Sequence, residues 1–512
     1  MNGLDAWTLV HLAALAVPVA FAAVAAFAPL QATRASAFAL VVAALVAAAT
    51  AGVFGPPPSP LLGLRLDGVT AVMLALVALL GFVVVRFSRT HLQGEPALPR
   101  YFRWLSTTLA AVTAIVLADD LLAIALAWTV TSVALHQLLT FYPTRAAALI
   151  AAHKKFLVSR LADVCLAGSL ALVHTTVGSL ALDDIAAAVA TWPSLPLAME
   201  LAAALLVCAV ALRSAQLPFH GWLTQVMEAP TPVSALLHAG VVNIGGLVLI
   251  RVAPWIAQAV AAQWLLIAIG LVTALVAATV MTTRVSIKVA LAWSTCAQMG
   301  FMLVQCGLGA WSAALLHIVA HSLYKAHAFL DAGSVVARWQ QRAMTPAPAR
   351  PGAGALAWAG VGIASSFAAT TALDLGPAGT WPALVSSVLV GLALLPLQRG
   401  SATALRVLAV VLLSCAWHVV LSELVATAHA PANPLAWALT GVAFVGFAAV
   451  HLALRRHPHG RLARRLHPWL FAGLYLDERF TRLSFRIWPP RRPEAPSSPR
   501  PMPLRTSMET RT

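Results

Sequence analysis

Apolar runs of about 20 residues recur along almost the whole length of this 512-residue chain, and a helix of that length crosses the core of a lipid bilayer. Only 10% of the residues are charged, and the mean hydropathy of +0.85 is far above that of a soluble protein of this size. The sequence therefore predicts an all-α polytopic membrane protein with about 13–15 transmembrane helices. The predicted spans are approximately 4–29, 36–54, 66–86, 103–118, 121–141, 153–175, 199–228, 231–251, 263–283, 288–308, 311–337, 354–373, 382–397, 404–427 and 434–454.

The positive charge of the chain is concentrated on one side of the predicted membrane domain. The formal net charge is +16. With an odd number of spans, most of the 33 Lys and Arg residues fall in the C-terminal tail or in the loops on the same side as that tail. This bias follows the positive-inside rule and predicts a cytoplasmic tail. It accounts for the net charge without nucleic-acid binding, which we do not expect.

The tail that follows the last predicted span is basic with aromatic interruptions, and it reads RRHPHGRLARRLHPWLFAGLYLDERFTRLSFRIWPP from Arg455 onward. A basic segment with interleaved aromatic side chains is typical of a surface that lies on anionic lipid. We expect the part near Arg455 to contact the lipid bilayer in this way. The stretch LYLDERFTRLSFRIW could equally dock on a partner protein.

The stretch RSAQLPFHGWLTQVMEAPTPVSALLH, from Arg213 to His238, places polar residues between two strongly apolar segments. Pro218 has no backbone N–H and clashes with the preceding turn, so it predicts a local break in the helix. A break at membrane depth is stable only where protein or water satisfies the freed backbone groups, and transporters build ion sites at such breaks. The alternative is an ordinary kink followed by an interfacial loop. A polar pathway is favoured by four side chains of this stretch, Arg213, Gln216, His220 and His238.

A second polar row is predicted within the segment HIVAHSLYKAHAF. His317, His321 and Lys325 are spaced four residues apart, which places them on one face of a helix. Two histidines at this spacing can bind a metal, but no carboxylate or cysteine nearby offers a third ligand, and the five cysteines form no CxxC pair. A row of titratable groups that exchange protons is the better fit. The alternative is three core residues whose polar atoms are satisfied by their neighbours.

Two further charged positions fall within or at the edge of predicted spans. Asp163 lies one helical turn from Arg160 in VSRLADV and could form a structural ion pair with it. Lys288 in SIKVALAWS lies near a membrane edge, where a lysine can extend its ammonium group to water. Together, the polar residues inside the predicted spans indicate a membrane protein that moves protons or small cations.

Several segments resemble the antiporter-like subunits of respiratory complex I and of the Mrp cation antiporters, and subunit L in particular. They are LADDLLAIALAW, SAQLPFHGWL, PTPVSALLH, IKVALAWSTCAQMGFM and LLHIVAHSLYKA, which keep the order and spacing of that family across residues 65–335. The resemblance implies two inverted repeats, each with one discontinuous helix, and a polar axis across the middle of the membrane. It divides the chain into N-terminal transmembrane helices at 1–102, a first repeat at 103–251, a second repeat at 252–428, a final transmembrane helix at 429–454 and a basic tail at 455–512.

The resemblance also implies a path for protons or other cations. Its residues in this chain are Asp163, Arg213, His238, Lys288, His317, His321 and Lys325, with Pro218 at the first helix break. Two positions depart from the family, because Thr129 stands where a glutamate is usual and Arg213 where a lysine is usual. Arginine effectively never loses its proton, so Arg213 is expected to act as a fixed charge. No residue clearly matches the lysine of the second broken helix, for which Asp374 is only a loose candidate.

Within that superfamily, nearly the whole chain resembles the DabB family, the membrane subunits of the DAB inorganic-carbon accumulation systems. The resemblance is carried by APTPVSALLHAGVVNIGG, MGFMLVQCGLGAWSAALLHIVAHSLYKAHAFL and HPWLFAGLYLDERFTRLSFRIWP. It implies a multi-pass protein of the bacterial cell inner membrane and a large peripheral zinc protein, DabA, similar to a β-carbonic anhydrase, as partner. Protons, or alternatively sodium ions, would pass through the membrane subunit and drive one-way hydration of CO2 to bicarbonate on DabA. This chain would then be a transport subunit without a cofactor, because the catalytic zinc lies on the partner.

Two other functions remain open from the sequence. The chain could be a proton-pumping or antiporter subunit of a complex I or Mrp-type assembly, which shares most of these motifs. It could also be a non-conducting membrane scaffold that anchors a soluble enzyme, since Thr129 and Arg213 remove the usual titratable pair from the first half.

Overall fold

The computed structural model describes residues 6–53, 63–335 and 433–489, together with scattered positions between 337 and 416. Regular structure in this part of the chain is helical, apart from two isolated β-bridges. The main helices, in chain order, are α1 (Ala6–Phe27), α2 (Ala32–Ala48), α3 (Gly68–His91), α4 (Leu98–Leu117), α5 (Leu121–Leu139), α6 (Ala146–Val177), α7 (Leu182–Thr191), α8 (Leu197–Arg213), α9 (Gly221–Thr224), α10 (Thr231–Ala239), α11 (Ile244–Arg251), α12 (Ala253–Gln258), α13 (Val260–Met281), α14 (Ile287–Gly307), α15 (Trp311–Leu330), α16 (Pro434–Arg456), α17 (Arg461–Phe471) and α18 (Leu476–Ile487).

Nine helical segments of the described part are long and apolar enough to cross a membrane. They are Ala6–Phe27, Pro29–Ala51, Gly68–His91, Leu121–Leu139, Ala146–Val177, Thr231–Arg251, Val260–Met281, Ile287–Gly307 and Pro434–Leu454. The predicted all-helical membrane fold is therefore confirmed. The spans predicted at 354–373, 382–397 and 404–427, and Asp374 with them, lie outside the described residues, so the predicted total number of spans stays a prediction.

Two of the predicted spans are interrupted helices. The span predicted at 199–228 is interrupted near the predicted break at Pro218, because α8 ends at Arg213 and a non-helical turn precedes the short helix α9. Pro218 lies in that turn, where it cannot donate a backbone hydrogen bond to a continuing helix. The span predicted at 231–251 consists of α10 and α11, joined by a single 3-10 turn. α10 is therefore bounded by a helix break at each end.

The centre of the membrane domain is formed by α10 and α11. In the Thr231–Arg251 segment, 89% of the most hydrophobic stretch is buried, against 33% for Ala6–Phe27 and 17% for Pro434–Leu454. α10 packs against α3 and α15, and α11 packs against α8, α14 and α15. Beside them, α13 and α14 approach closely at Gly270 and Gly300, where an added Cβ would lie 2.5 or 2.6 Å from the carbonyl oxygen of the other glycine.

One end of the membrane domain is held together by ion pairs between its loops. Arg65 bridges Asp119, at 2.6 Å, and Asp183. Arg251, at the end of α11, pairs with Asp67 at 2.6 Å. Burial works against the charge on Asp67, but the Arg251 guanidinium and local hydrogen bonds outweigh it and lower the pKa of this carboxyl. The loops at this end are thereby fixed to one another.

The C-terminal tail forms two amphipathic helices, α17 and α18, which dock on the other end of the membrane domain. Arg284, between α13 and α14, donates to the main-chain oxygens of Leu470 and Phe471 at 2.5 and 2.8 Å. α18 packs along α6, where the ring of Trp488 stacks on His153 with centroids 4.0 Å apart. The sequence predicted contact with lipid or with a partner, and this docking within the chain was not predicted.

Candidate ion path in the membrane domain

The break after α8 brings a polar turn into the membrane domain. Pro218 lies in this turn, and the Leu217–Pro218 peptide bond is cis. The Gln216 side chain donates to the main-chain oxygen of Ser214 at 2.9 Å, and the Leu217 N–H donates to Thr273 Oγ1 at 3.1 Å. Backbone groups released by the break are thus bonded to protein side chains, as a break at membrane depth requires.

The end of α8 carries Arg213 into a partly buried group of polar side chains from α5 and α6, which we call the first cluster: Thr129, Arg160, Asp163 and Arg213. Arg213 forms an ion pair with Asp163 Oδ1, and Arg160 pairs with Asp163 Oδ2 at 2.8 Å. Thr129 Oγ1 donates to the same carboxylate at 3.2 Å. The Arg213 side chain is 5% exposed, and its guanidinium lies 4.5 Å from the ring centroid of Trp128. One carboxylate is therefore paired with two guanidinium groups, and its Oδ1 also accepts a hydrogen bond from a hydroxyl.

The first cluster holds a fixed pattern of charge. Neither Arg213 nor Arg160 releases its proton in a protein, and Thr129 contributes only a hydroxyl. The sequence predicted the fixed charge of Arg213 and indicated Asp163 as a partner of Arg160. The structure adds that Asp163 pairs with both arginines. Arg160 lies on the same helix, α6, and Arg213 lies at the end of α8.

Two adjacent lysines near the start of α6 were not predicted as part of a site. Lys154 is fully enclosed, and its Nζ lies 2.6 Å from Asp477 Oδ2 of α18 and 3.0 Å from Gln225 Oε1. Lys155 Nζ donates to Ser132 O at 2.6 Å and to Ser132 Oγ at 2.8 Å. The signal in the sequence is the dibasic HKKF. A span predicted to begin at residue 153 leaves it at the membrane edge, whereas α6 begins about two turns earlier.

A separate group lies on α10 and α15, and we call it the second cluster: His238, His317, His321 and Lys325. Lys325 is fully buried, and its Nζ donates to the main-chain oxygen of Leu291 at 3.0 Å. His317 Nδ1 lies 2.8 Å from Gln305 Oε1, and its ring centroid is 5.9 Å from that of His321. His321 is 5% exposed, and within the described part of the chain neither of its ring nitrogens has a hydrogen-bond partner.

The two histidines of the stretch 213–238 lie in different surroundings. His238 joins α10 to α14 and α15, because its Nδ1 lies 3.2 Å from Thr295 Oγ1 and its ring stacks on Phe329 at a centroid distance of 4.3 Å. His220 is buried between the two helix breaks, with its ring centroid 4.6 Å from that of Trp293. Only His238 is thereby placed with the row on α15.

Lys288 lies apart from the second cluster. Its Nζ donates to Thr231 Oγ1 at 3.1 Å, at the first turn of α10, and the residue is half-buried. The seven predicted path residues thus fall into two clusters and one separate position. Among the residues that the structure describes, no group of three or more His, Cys, Asp or Glu side chains is placed to hold a metal ion.

Comparison with known proteins places these residues in a family. The profile described as "NADH:quinone oxidoreductase/Mrp antiporter, TM" matches residues 118–347, and that described as "NADH-Ubiquinone oxidoreductase (complex I), chain 5 N-terminus" matches residues 59–102. The probable inorganic carbon transporter subunit DabB of Hydrogenovibrio crunogenus is 42% identical over 432 residues, which cover 82% of this chain and 83% of that protein. The chain belongs to the DabB family. The predicted family is thereby confirmed.

Other relatives place the DabB family within the complex I and Mrp antiporter superfamily. The probable inorganic carbon transporter subunit DabB2 of Halothiobacillus neapolitanus is 38% identical over 457 residues, covering 85% of this chain and 82% of that protein. NADH-quinone oxidoreductase subunit L of Escherichia coli is 34% identical over 275 residues, covering 53% of this chain and 45% of its own length. Both clusters lie inside the region that the first profile matches.

Solved structures of antiporter-like proteins share the fold. A chain of the Mrp complex from Dietzia sp. DQ12-45-1b aligns with a TM-score of 0.61 and 24% identity over 93% of this chain, which spans 59% of that chain. The membrane-bound sulfane sulfur reductase, an archaeal respiratory membrane complex, aligns with a TM-score of 0.55 and 16% identity over 92% of this chain and 99% of that chain. At these identities the likeness establishes the fold alone, and it agrees with the predicted antiporter-like helical fold.

Proposed function

We propose that this chain is the proton-conducting membrane subunit of an inorganic-carbon transporter. Proton flow through the chain would power one-way hydration of CO2 to bicarbonate on a peripheral, zinc-containing partner similar to DabA. The curated DabB relatives, which match more than four fifths of this chain, are named as probable inorganic carbon transporter subunits. The C-terminal tail would face the cytoplasm of a bacterial cell, on the side where the basic loops cluster.

The observation that carries the proposal is the second cluster. Lys325 and His321 are enclosed in the membrane domain, and His317 continues the same row along α15. Keeping a charged side chain at membrane depth costs at least about 2.5–3.5 kcal/mol, so such groups normally line a path or pair with a partner. Among the described residues, no carboxylate forms an ion pair with Lys325. A lysine in this setting can release and regain a proton, which a scaffold would not need.

The rest of the proposed path follows from the contacts of this row. His321 lies between His317 and Lys325 on one face of α15, and imidazole accepts and donates protons near neutral pH. His238 extends the row to α10, whose two ends are helix breaks. The chain's role is to carry protons along these side chains. The zinc chemistry would take place on the partner, where zinc activates a water molecule for attack on CO2.

The composition of the native complex tests the partner. The chain would be purified from its native membrane in mild detergent, and the proteins that accompany it would be identified. We expect one large soluble protein that contains zinc, in stoichiometric amount. Several further antiporter-like membrane subunits would instead assign the chain to a complex I or Mrp-type assembly, and the carbon-transport proposal would be wrong.

Substitutions in the second cluster test conduction. We expect Lys325→Ala and His321→Ala to abolish bicarbonate accumulation in sodium-free medium while the complex still assembles. The matched control is His327→Ala, because His327 is on the same helix but its side chain is 75% exposed. If both cluster variants accumulate bicarbonate normally, or if an uncoupler leaves the activity of the complex intact, the chain acts as a scaffold and the proposal fails.

A further inference from the structure

The C-terminal helix α18 provides the counter-ion for an enclosed lysine of the membrane domain. Asp477, in the first turn of α18, places both carboxylate oxygens 2.6 and 2.7 Å from Lys154 Nζ. Lys154 has no exposed side-chain surface, whereas the Asp477 side chain is 21% exposed. The pair therefore lies at a boundary, with the lysine inside the domain and the carboxylate reaching outward.

The surroundings of the pair are built to hold the carboxylate in this place. Gln225 Nε2 donates to Asp477 Oδ2 at 2.7 Å, and Thr481 Oγ1 lies 2.8 Å from Lys154 Nζ. Gly221 leaves the space that the carboxylate occupies, since a Cβ at this position would overlap Asp477. The ring of Phe480 packs edge-to-face on Phe219 with centroids 5.5 Å apart, which fixes α18 beside the pair independently of its charges.

A separate row of polar contacts begins at the next residue of α6 and leads to the first cluster. Lys155, next to Lys154, donates to Ser132 O and Oγ, and Arg160 Nη2 lies 3.5 Å from the same hydroxyl. Arg160 is in turn paired with Asp163 of the first cluster. His136 and His153 stack beside this row at a centroid distance of 6.3 Å, and Trp488 of α18 covers His153. The row thus runs from Lys155, beside Lys154 in the sequence, to Asp163.

We propose that Lys154 and Asp477 form the proton-transferring pair of the first half, and that α18 is therefore a working part of the ion path. The inference rests on the proposed function and adds a route to it. In the transfer, one Nζ–H bond of the Lys154 ammonium breaks and one O–H bond forms on the Asp477 carboxylate, so both groups become neutral. Asp477 then releases the proton at its exposed side, and the next proton carried by the proposed path restores the Lys154 ammonium.

The chemistry of the neighbouring groups favours this assignment. Arg213 and Arg160 keep their protons, so the first cluster has no group that can replace a lysine in this step. The charged and the neutral states of the Lys154–Asp477 pair differ by the transfer of one proton, over a distance typical of a strong hydrogen bond. Among the described residues, His220 beside α9 interacts electrostatically with both Asp477 and Lys154, and His153 and Lys155 are the sequence neighbours of Lys154 on α6.

Three variants in the full complex test the pair. Asp477→Asn keeps the size of the side chain and one acceptor oxygen, but the amide cannot take up the proton. Lys154→Arg keeps the ion pair but cannot release the proton. Glu478→Gln is the matched control, because Glu478 is the next residue on α18 and its side chain is 57% exposed beside Arg482. We expect the first two variants to lose bicarbonate accumulation at least about tenfold and the control to match the unmodified chain.

Docking of α18 is measured separately, so that a loss of structure is distinguished from a loss of proton transfer. Cysteines at Phe219 and Phe480, in a chain whose five native cysteines are replaced, would report docking by the yield of the disulfide cross-link. We expect cross-linking to stay at the unmodified level in Asp477→Asn and in Lys154→Arg.

Two results would overturn the inference. One is normal transport in Lys154→Arg, which would show that the ion pair only holds α18 in place. The other is a loss of transport in Asp477→Asn that is matched by the loss of cross-linking. Failure of the proposed function would be visible in the unmodified chain, which would then accumulate no bicarbonate, whereas failure of this inference is visible only in the variants.

Discussion

The first and second clusters differ in how their charges are compensated. In the first cluster, Asp163 lies between two guanidinium groups, and the Arg213 side chain is 5% exposed. In the second cluster, the Lys325 ammonium is bonded to a main-chain oxygen of α14, and among the described residues no carboxylate pairs with it. Two buried histidines, His238 and His321, belong to the same cluster as that lysine, whereas no histidine belongs to the first cluster.

This difference indicates that the two clusters have different roles in the proposed ion path. A carboxylate between two arginines is stable in one charge state only, because neither arginine can be neutralised. A lysine that lacks a counter-ion, next to imidazoles, has two accessible charge states. Under the proposed function, the first cluster would therefore set a constant local field, and the second cluster would exchange protons. Predictions that convert one type of site into the other test this division.

The largest effect is expected from giving the second cluster a fixed charge. Lys325→Arg keeps the positive charge but cannot release a proton, so bicarbonate accumulation should fall on the order of a hundredfold. The amount of complex in the membrane, measured by immunoblot, should change little. His327→Arg, at the exposed position on the same helix, is the control. Normal accumulation in Lys325→Arg would show that both clusters work with fixed charges.

A smaller effect, on stability, is expected from removing the carboxylate of the first cluster. Asp163→Asn leaves Arg213 and Arg160 without their shared counter-ion. Removing one partner of a buried ion pair lowers the free energy of unfolding by about 3 kcal/mol or more, and the lower figure applies here because the site is partly exposed. The variant should unfold at a lower temperature in detergent. Asp163→Asn combined with Arg213→Gln should recover part of the loss, because the unpaired charge is removed as well. A normally stable Asp163→Asn protein that fails to transport would make Asp163 a proton carrier.

The parts of the site that depend on residues close together in the chain could be predicted from the sequence. The row on α15 follows from a spacing of four residues, and the turn that contains Pro218 follows from the chemistry of proline. In both cases the residues that define the feature are close together in the chain. Local spacing and residue chemistry therefore predict the positions of these features, though not their roles.

The parts that depend on residues far apart in the chain could not be predicted from the sequence. Lys154 and Asp477 are 323 positions apart, and Arg213 and Asp163 are 50 positions apart. No periodicity links such pairs, because they meet only when α8 and α18 pack on α6. Hydropathy also extended the predicted span across the end of α8, since an average over apolar residues does not detect where backbone hydrogen bonds stop.

The smallest effect is expected from exchanging the arginine of the first cluster for the residue that can be neutralised. Arg213→Lys keeps a positive charge beside Asp163 but loses the stacking on Trp128, which is worth about 1 kcal/mol at a partly desolvated site. Bicarbonate accumulation should stay within about threefold of the unmodified chain, because a charge that is held constant does not need to be an arginine. The measurement is accumulation at matched protein level, with Arg160→Lys, on the other side of the same carboxylate, as the control. A large gain or loss in Arg213→Lys alone would mean that the proton affinity at this position limits transport. The first cluster would then do more than hold a constant charge, and the contrast between the two clusters would be wrong.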